Sequence, residues 1–158
     1  MKQALILAKR AKGHDDVPIG AAIVRGGRII ARGENLVQKK KNPMLHAEIV
    51  AIGRACKKLG SKFLDECDIY VSLEPCAMCA AAISYARISR IYFAARDVKG
   101  GALLHNSRIF DTDAHLWRPE IIEIPEHAAE SAQMLKEFFN DLRTRNSGRI
   151  AAARPAYQ

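Results

Sequence analysis

Apolar and polar positions divide this chain into short segments, each with its own period. Residues 2–12 carry Ala4, Leu5, Leu7, Ala8 and Ala11 among lysines and an arginine, the spacing of a short amphipathic helix. Val17-Pro18-Ile19-Gly20 ends that region and leads into the apolar run Ala21-Ala22-Ile23-Val24. Gly26-Gly27 separates it from Arg28-Ile29-Ile30-Ala31, and a glycine pair between two apolar runs predicts a hairpin. Asn35 to Asn42, with Lys39-Lys40-Lys41, reads as a polar connection. Asn42-Pro43 suits an N-cap followed by proline at the first helical position, and Ile49, Ile52, Ala55, Cys56 and Leu59 then recur at helical spacing until Gly60. Ile69-Tyr70-Val71-Ser72-Leu73 predicts a strand. Pro75 opens an alanine-rich helix from Cys76 to Ala86. Ile91 to Ala95 and Ile121 to Ile124 predict two more strands. Glu126 to Arg143 closes with a helix whose apolar face includes Ala129, Ala132, Leu135, Phe138, Phe139 and Leu142.

Strands alternating with helices imply an α/β domain in three layers, a central mixed five-stranded sheet flanked by helices. The sheet is expected to be antiparallel at the hairpin and parallel elsewhere. Residues 1–143 form one domain in this reading. Residues 144–158, with Ser147-Gly148 and Arg154-Pro155, read as a basic flexible tail.

At 158 residues the chain is long enough to bury a core without disulfides. Charges interrupt the stretch from Met1 to Lys12 too often for a signal peptide or a membrane span, so a cytoplasmic protein without a membrane partner is expected. The formal net charge is +8, from 25 basic and 17 acidic residues, a surplus that favours polyanionic partners or simply aids solubility. Cys56, inside a helical pattern, and Cys67, beside a strand, read as ordinary reduced thiols.

Chemistry enters with His46-Ala47-Glu48 and Pro75-Cys76-Ala77-Met78-Cys79. One imidazole and two thiolates can hold a zinc ion and leave its fourth tetrahedral position open, the mark of a catalytic rather than a structural site. Both motifs fall at predicted helix starts, where the helix dipole favours thiolate over thiol. Cys76 and Cys79, three residues apart, share a helix face and can reach one ion. Glu48 is then placed to carry protons for a metal-activated water. A lone histidine would read as a core or surface residue, and a lone CxxC as a redox pair or half of a structural zinc site. Neither accounts for the two motifs together.

The pair resembles the H-x-E…P-C-x-x-C pattern of zinc deaminases that act on bases. With Ile19 to Val24, Asn35, Leu73 to Ile83 and Ala95-Arg96-Asp97-Val98-Lys99-Gly100-Gly101-Ala102, the chain is similar to bacterial tRNA-specific adenosine deaminases, within the cytidine deaminase-like superfamily. The resemblance runs from the first helix to the Phe138-Phe139 helix. It implies a cytidine/deoxycytidylate deaminase-like zinc-binding domain over residues 1–143, with one Zn2+ per subunit on His46, Cys76 and Cys79. Glu48 would be the catalytic proton carrier, and Asn35, Ala47 and Pro75 substrate-binding residues. The implied reaction is hydrolysis of the wobble adenosine of a tRNA to inosine and ammonia, with the tRNA anticodon loop as partner and a homodimer as assembly. Asn35 taken alone reads as a plain turn residue.

A base must leave its stack to reach such a site, and a loop lowers that cost. Asp97, Lys99, Arg143, Arg145 and the run Lys39 to Lys41 are candidate RNA contacts, with Phe138 or Phe139 as stacking platforms. The alternatives are a solvated lysine loop and core phenylalanines. Two segments depart from the resemblance. Asn42-Pro43-Met44-Leu45 stands where the family commonly has Asp-Pro-Thr-Ala, and Leu103-Leu104-His105-Asn106-Ser107 replaces a smaller, glycine-containing stretch. Both bear on substrate rather than chemistry, so a deaminase of a free base or nucleoside of guanine or cytosine type is the nearest rival. A zinc-stabilised RNA-binding module without catalysis is the second rival, and Glu48 speaks against it.

Overall fold

The structure, a computed structural model, describes residues 1–113 and 117–152. Its elements are α1 (Lys2–Lys12), β1 (Gly20–Arg25), β2 (Arg28–Glu34), α2 (Val37–Lys40), α3 (Ala47–Leu59), β3 (Cys67–Leu73), α4 (Ala77–Tyr85), β4 (Arg90–Ala95), β5 (Glu120–Glu123) and α5 (Ala128–Ala152), with 3-10 turns at Ile109–Asp111 and Pro125–His127. The strand order is β2-β1-β3-β4-β5. The hairpin closes at Gly26 and Gly27, both with positive φ (54° and 72°), as a two-residue turn matched to strand twist requires.

Two pairings, β3–β4 and β4–β5, are parallel, but β1 runs antiparallel to both β2 and β3. The expectation of parallel pairing everywhere outside the hairpin is therefore corrected. The parallel crossover runs from β2 through α3 to β3 and passes over β1. That leaves β1 antiparallel to both neighbours.

Residues alternate between the two faces of the sheet. Ala21, Ile23, Ile69, Val71, Ile91 and Phe93 face α3 and α4 in a core shared with Ala47, Ala51, Ala55, Ala80 and Ile83. Full burial of each large aliphatic or aromatic side chain here contributes about 1.5–3 kcal/mol. The opposite face is covered by α1 and α5. Helices approach the sheet closely at glycine on each side. A Cβ on Gly20 would lie 2.2 Å from the Ala4 carbonyl oxygen of α1, and one on Gly33 would lie 2.0 Å from the Ala47 carbonyl oxygen of α3.

Two helix boundaries differ from expectation. Asn42 does not cap α3. Its Oδ1 accepts the Met44 N–H at 3.0 Å, closing a local turn, and the helix begins at Ala47 with His46 as N-cap. Residues 144–152, expected in a flexible tail, continue α5. One glycine costs a helix only about 1 kcal/mol, and the flanking arginines are good helix formers. Residues 153–158 of the expected tail lie outside the described residues. Among the described residues, no helix is long and apolar enough to cross a membrane.

Candidate metal centre and active site

The starts of α3 and α4 converge at the end of β3. His46 is the N-cap of α3 and Cys76 the N-cap of α4, both in extended conformation, while Glu48 and Cys79 lie in the following first turns. His46 Nδ1 stands 3.7 Å from Cys76 Sγ and 3.6 Å from Cys79 Sγ. Metal–sulfur and metal–nitrogen bonds of about 2.3 and 2.0 Å in a tetrahedral zinc site place N and S about 3.5 Å apart. Among the described residues these three form the one His/Cys/Asp/Glu group whose ligand atoms all lie within 4.8 Å of one another. The donor set and its spacing fit a metal ion with one position left for water.

The electrostatics of the centre match a cation site. A hydrogen bond donated by Cys79, with a second from His46, brings the Cys76 thiol down to about 4 despite its partial burial. The proton held against Cys76 raises Cys79, and burial raises it further. His46 is raised by its hydrogen bond to Cys76, against the opposing effect of burial. Burial pushes the Glu48 carboxyl up to about 7. Its Oε2 is fully enclosed and has no hydrogen-bond partner. An enclosed carboxylate oxygen without a partner, beside three ligands, is a group that a metal-held water would satisfy.

A cavity of about 270 Å³ opens beside His46, lined by Val17, Ile19, Asn35, Val37, Gln38, Leu73, Asp97, Leu135 and Phe139. It shares Phe139 with a groove of about 440 Å³ formed by Lys99, Leu142, Arg143 and Asn146. Asn35 and Asp97 therefore stand at the pocket, and Lys99 and Arg143 on its outer rim. Ala47 opens α3, so its N–H is among the donors a helix start leaves without an intrahelical acceptor. The Pro75 carbonyl accepts the Ala102 N–H at 2.9 Å, tying the turn before Cys76 to the loop after β4.

Other expected contacts lie elsewhere. Phe138 is only 5% exposed and packs in the core, so it does not serve as a platform; Phe139, 43% exposed, faces the pocket and groove. The two are neighbours on a helix, about 100° apart, and only one can face the site. Arg145 is bonded to Asp15 at 2.9 Å. Lys39 to Lys41 are exposed on α2 and at its end. Met44 projects to solvent instead of into the pocket, whereas Leu103 is buried.

Sequence reasoning missed the role of Glu74. Its carboxylate is buried, with Oε1 accepting the N–H groups of Leu103, Leu104 and His105 and Oε2 accepting the Asp97 N–H and His105 Nδ1–H. Burial acts to raise its pKa, but these donors outweigh it and hold the carboxyl below the usual range. A Cβ on Gly101 would lie 2.5 Å from Glu74 Cδ, so the loop closes tightly over this carboxylate. An acid between an apolar strand and Pro75 was the available signal.

Comparison with known proteins agrees with the geometry. The MafB19-like deaminase family model matches residues 1–143. A tRNA-specific adenosine deaminase of Rickettsia typhi is 44% identical over 91% of this chain and 98% of its own. A solved structure from a study of A-to-I editing by tRNA:A34 deaminases at the wobble position of transfer RNA superposes with a TM-score of 0.83 at 44% identity, covering 85% of this chain and 97% of that one. Guanine deaminase from Bacillus subtilis superposes with a TM-score of 0.60 at 31% identity, over 99% and 96% of the two chains. With its three-ligand centre, enclosed glutamate and five-stranded mixed sheet, the chain belongs to the MafB19-like deaminase family, among the tRNA-specific adenosine deaminases.

Proposed function

We propose that this protein hydrolyses the wobble adenosine of a tRNA anticodon to inosine, releasing ammonia, with one Zn2+ per subunit on His46, Cys76 and Cys79. The observation that carries the proposal is the enclosed Glu48 carboxylate, its Oε2 without a partner, beside a three-ligand centre, a combination that a structural metal site does not need. A zinc ion bound by these three residues would supply an acidified water as the nucleophile for the base.

The chain's own groups do the rest. Ionised Glu48 takes one proton from the attacking water and delivers it to N1 of the adenine ring, then takes the second from the new C6 hydroxyl and passes it to the departing amino group. Water adds its oxygen at C6, the C6–N6 bond breaks, and ammonia and inosine leave. Asn35 and the Ala47 N–H hold the nucleotide from the pocket wall, and the Pro75 turn backs the reacting centre. Asp97 lies at the pocket, while Lys99 and Arg143 meet the flanking phosphates and Phe139 offers a stacking face. Arg145 adds positive charge further along α5.

The guanine deaminase relative keeps a free-base substrate as the second reading. Against it stands the neighbouring groove across Phe139, whose Lys99 and Arg143 suit the phosphates of a polynucleotide, which a free base lacks. Assembly as a homodimer is part of the proposal. Apolar α4 ends in Tyr85, which is 78% exposed and suits burial against a second copy. Cytoplasmic location follows from a tRNA substrate.

Ammonia release tests the substrate. The purified zinc-loaded protein is incubated separately with an A34-containing tRNA, guanine, cytosine and adenosine. Release from the tRNA alone is expected. Release from a free base with none from tRNA overturns the proposal.

A further inference from the structure

The pocket wall is held by a buried carboxylate that the proposed reaction does not use. Asp16, in the loop between α1 and β1, has no exposed surface. Its Oδ1 accepts the Gln38 N–H at 2.9 Å and an Asn35 Nδ2–H at 3.4 Å, and its Oδ2 accepts the Lys39 N–H at 3.0 Å. The two backbone donors belong to α2, whose own N-cap, Leu36, makes no side-chain cap. A four-residue helix is thus capped from a distant loop. Behind Asp16, His14 Nδ1 lies 3.6 Å from Asp16 Oδ2 and His14 Nε2 lies 3.5 Å from Glu34 Oε1, while Arg10 Nε lies 3.0 Å from Glu34 Oε2.

Asn35, Val37 and Gln38, which Asp16 fixes directly or through α2, all line the cavity beside His46. A carboxylate only accepts, whereas a carboxamide has one donating and one accepting end. Asp16 therefore decides which end of Asn35 turns inward. Nδ2 takes the bond, and Oδ1 stays buried without a partner. An enclosed acid of this kind is costly to bury unless its bonds are made, and its backbone bonds go to α2, whose Val37 and Gln38 line the pocket.

We propose that Asp16 is a positioning residue for the substrate nucleotide, acting through Asn35 and α2. This rests on the reading of Asn35 as a nucleotide contact. Asp16→Asn is nearly isosteric but has one accepting oxygen for three donors: with that oxygen toward Gln38 and Asn35 its NH2 opposes the Lys39 N–H, and turned over its NH2 opposes the Gln38 N–H and the Asn35 NH2. Either way α2 or Asn35 loses part of its anchor.

Steady-state kinetics on tRNA, zinc content and thermal melting are measured together for the wild type and Asp16→Asn. KM is expected to rise on the order of tenfold while kcat stays within about threefold and zinc content is unchanged. A loss confined to melting temperature, with KM unchanged, overturns the inference. In a double-mutant cycle, adding Asp16→Asn to Asn35→Ala should raise KM clearly less than it does in the wild type, and multiplicative effects would contradict action through Asn35. One measurement needs no variant. In the wild-type protein the Asn35 side-chain amide protons should exchange slowly with solvent by NMR, and exchange at the rate of a free amide refutes the clamp. A wild type that releases ammonia from a free base and not from tRNA sinks the proposed substrate instead. The same kinetic comparison on that base then judges Asp16 separately.

Discussion

Gly33→Ala probes how the fold delivers the catalytic groups. Gly33 sits on β2 without a positive φ, so its backbone conformation admits alanine and the difficulty is steric alone. The added methyl would lie 2.0 Å from the Ala47 carbonyl oxygen and 2.6 Å from the Ala51 nitrogen, where ordinary contact begins at 3.4 Å. Both atoms are α3 backbone, so no flexible side chain can yield. The first turns of α3 must retreat from the sheet on the order of 1 Å, with an overpacking cost of about 1–3 kcal/mol. For a chain of this size each kcal/mol lowers the melting temperature by about 2–4 °C, so a fall of several degrees is expected. Ala47 lies between His46 and Glu48, and the displacement carries both with it. A shift of about 1 Å in a reacting group costs on the order of 100-fold in rate. Thermal melting, zinc content and initial rates at saturating tRNA are measured on one preparation. Wild-type melting would refute the seating of α3 on Gly33. A lower melting temperature with wild-type kcat would refute the link from that seat to the active site.

Metal affinity should depend on pH in a defined direction. His46 and Cys79 both hold their protons above their ordinary values, so an incoming ion must displace those protons and affinity rises with pH. Chelator competition should give at least about tenfold tighter zinc binding at pH 8 than at pH 6, and a flat profile would contradict it. Glu74→Gln should destabilise the protein by about 2–4 kcal/mol, because several N–H donors lose an ionised acceptor. The folded pKa of Glu74 is depressed, so its contribution is present above the unfolded value of 4.5 and is lost as pH falls through the folded one. Denaturant melts across that range should show a shallower acid limb in the variant, and an unchanged limb counts against the assignment. Tyr85→Glu should convert a dimer to a monomer by light scattering, and an unshifted mass rules out an interface through α4.

Local patterns carried much of this molecule. Gly26-Gly27 named the hairpin, the 3.6-residue period named α1, α3 and α5, and the four residues of the metal motifs named the centre, because each signal lies within a few positions of sequence. What escaped depends on partners far apart in the chain. The antiparallel β1–β3 pairing joins segments more than forty residues apart, and no turn residue announces it. Asp16 and Glu74 look like ordinary acids until the amides they accept are brought to them by α2 and by the loop after β4. Phe138 and Phe139 share one helical pattern, and only packing decides which enters the core. Asn42-Pro43 carried a valid capping signal that a local turn used first, which moved the N-cap of α3 to His46.

Inosine formation at the wobble position, measured with wild-type protein and with Glu48→Ala, tests the central claim most directly. A transcribed tRNA carrying A34 is incubated with each zinc-loaded protein and sequenced by reverse transcription, in which inosine reads as guanosine. The wild type is expected to convert A34. Glu48→Ala, with unchanged zinc content and fold, is expected to leave it as adenosine. Conversion by the variant at the wild-type rate would remove Glu48 from the reaction, and no conversion by the wild type would contradict the assignment of this protein as a tRNA adenosine deaminase.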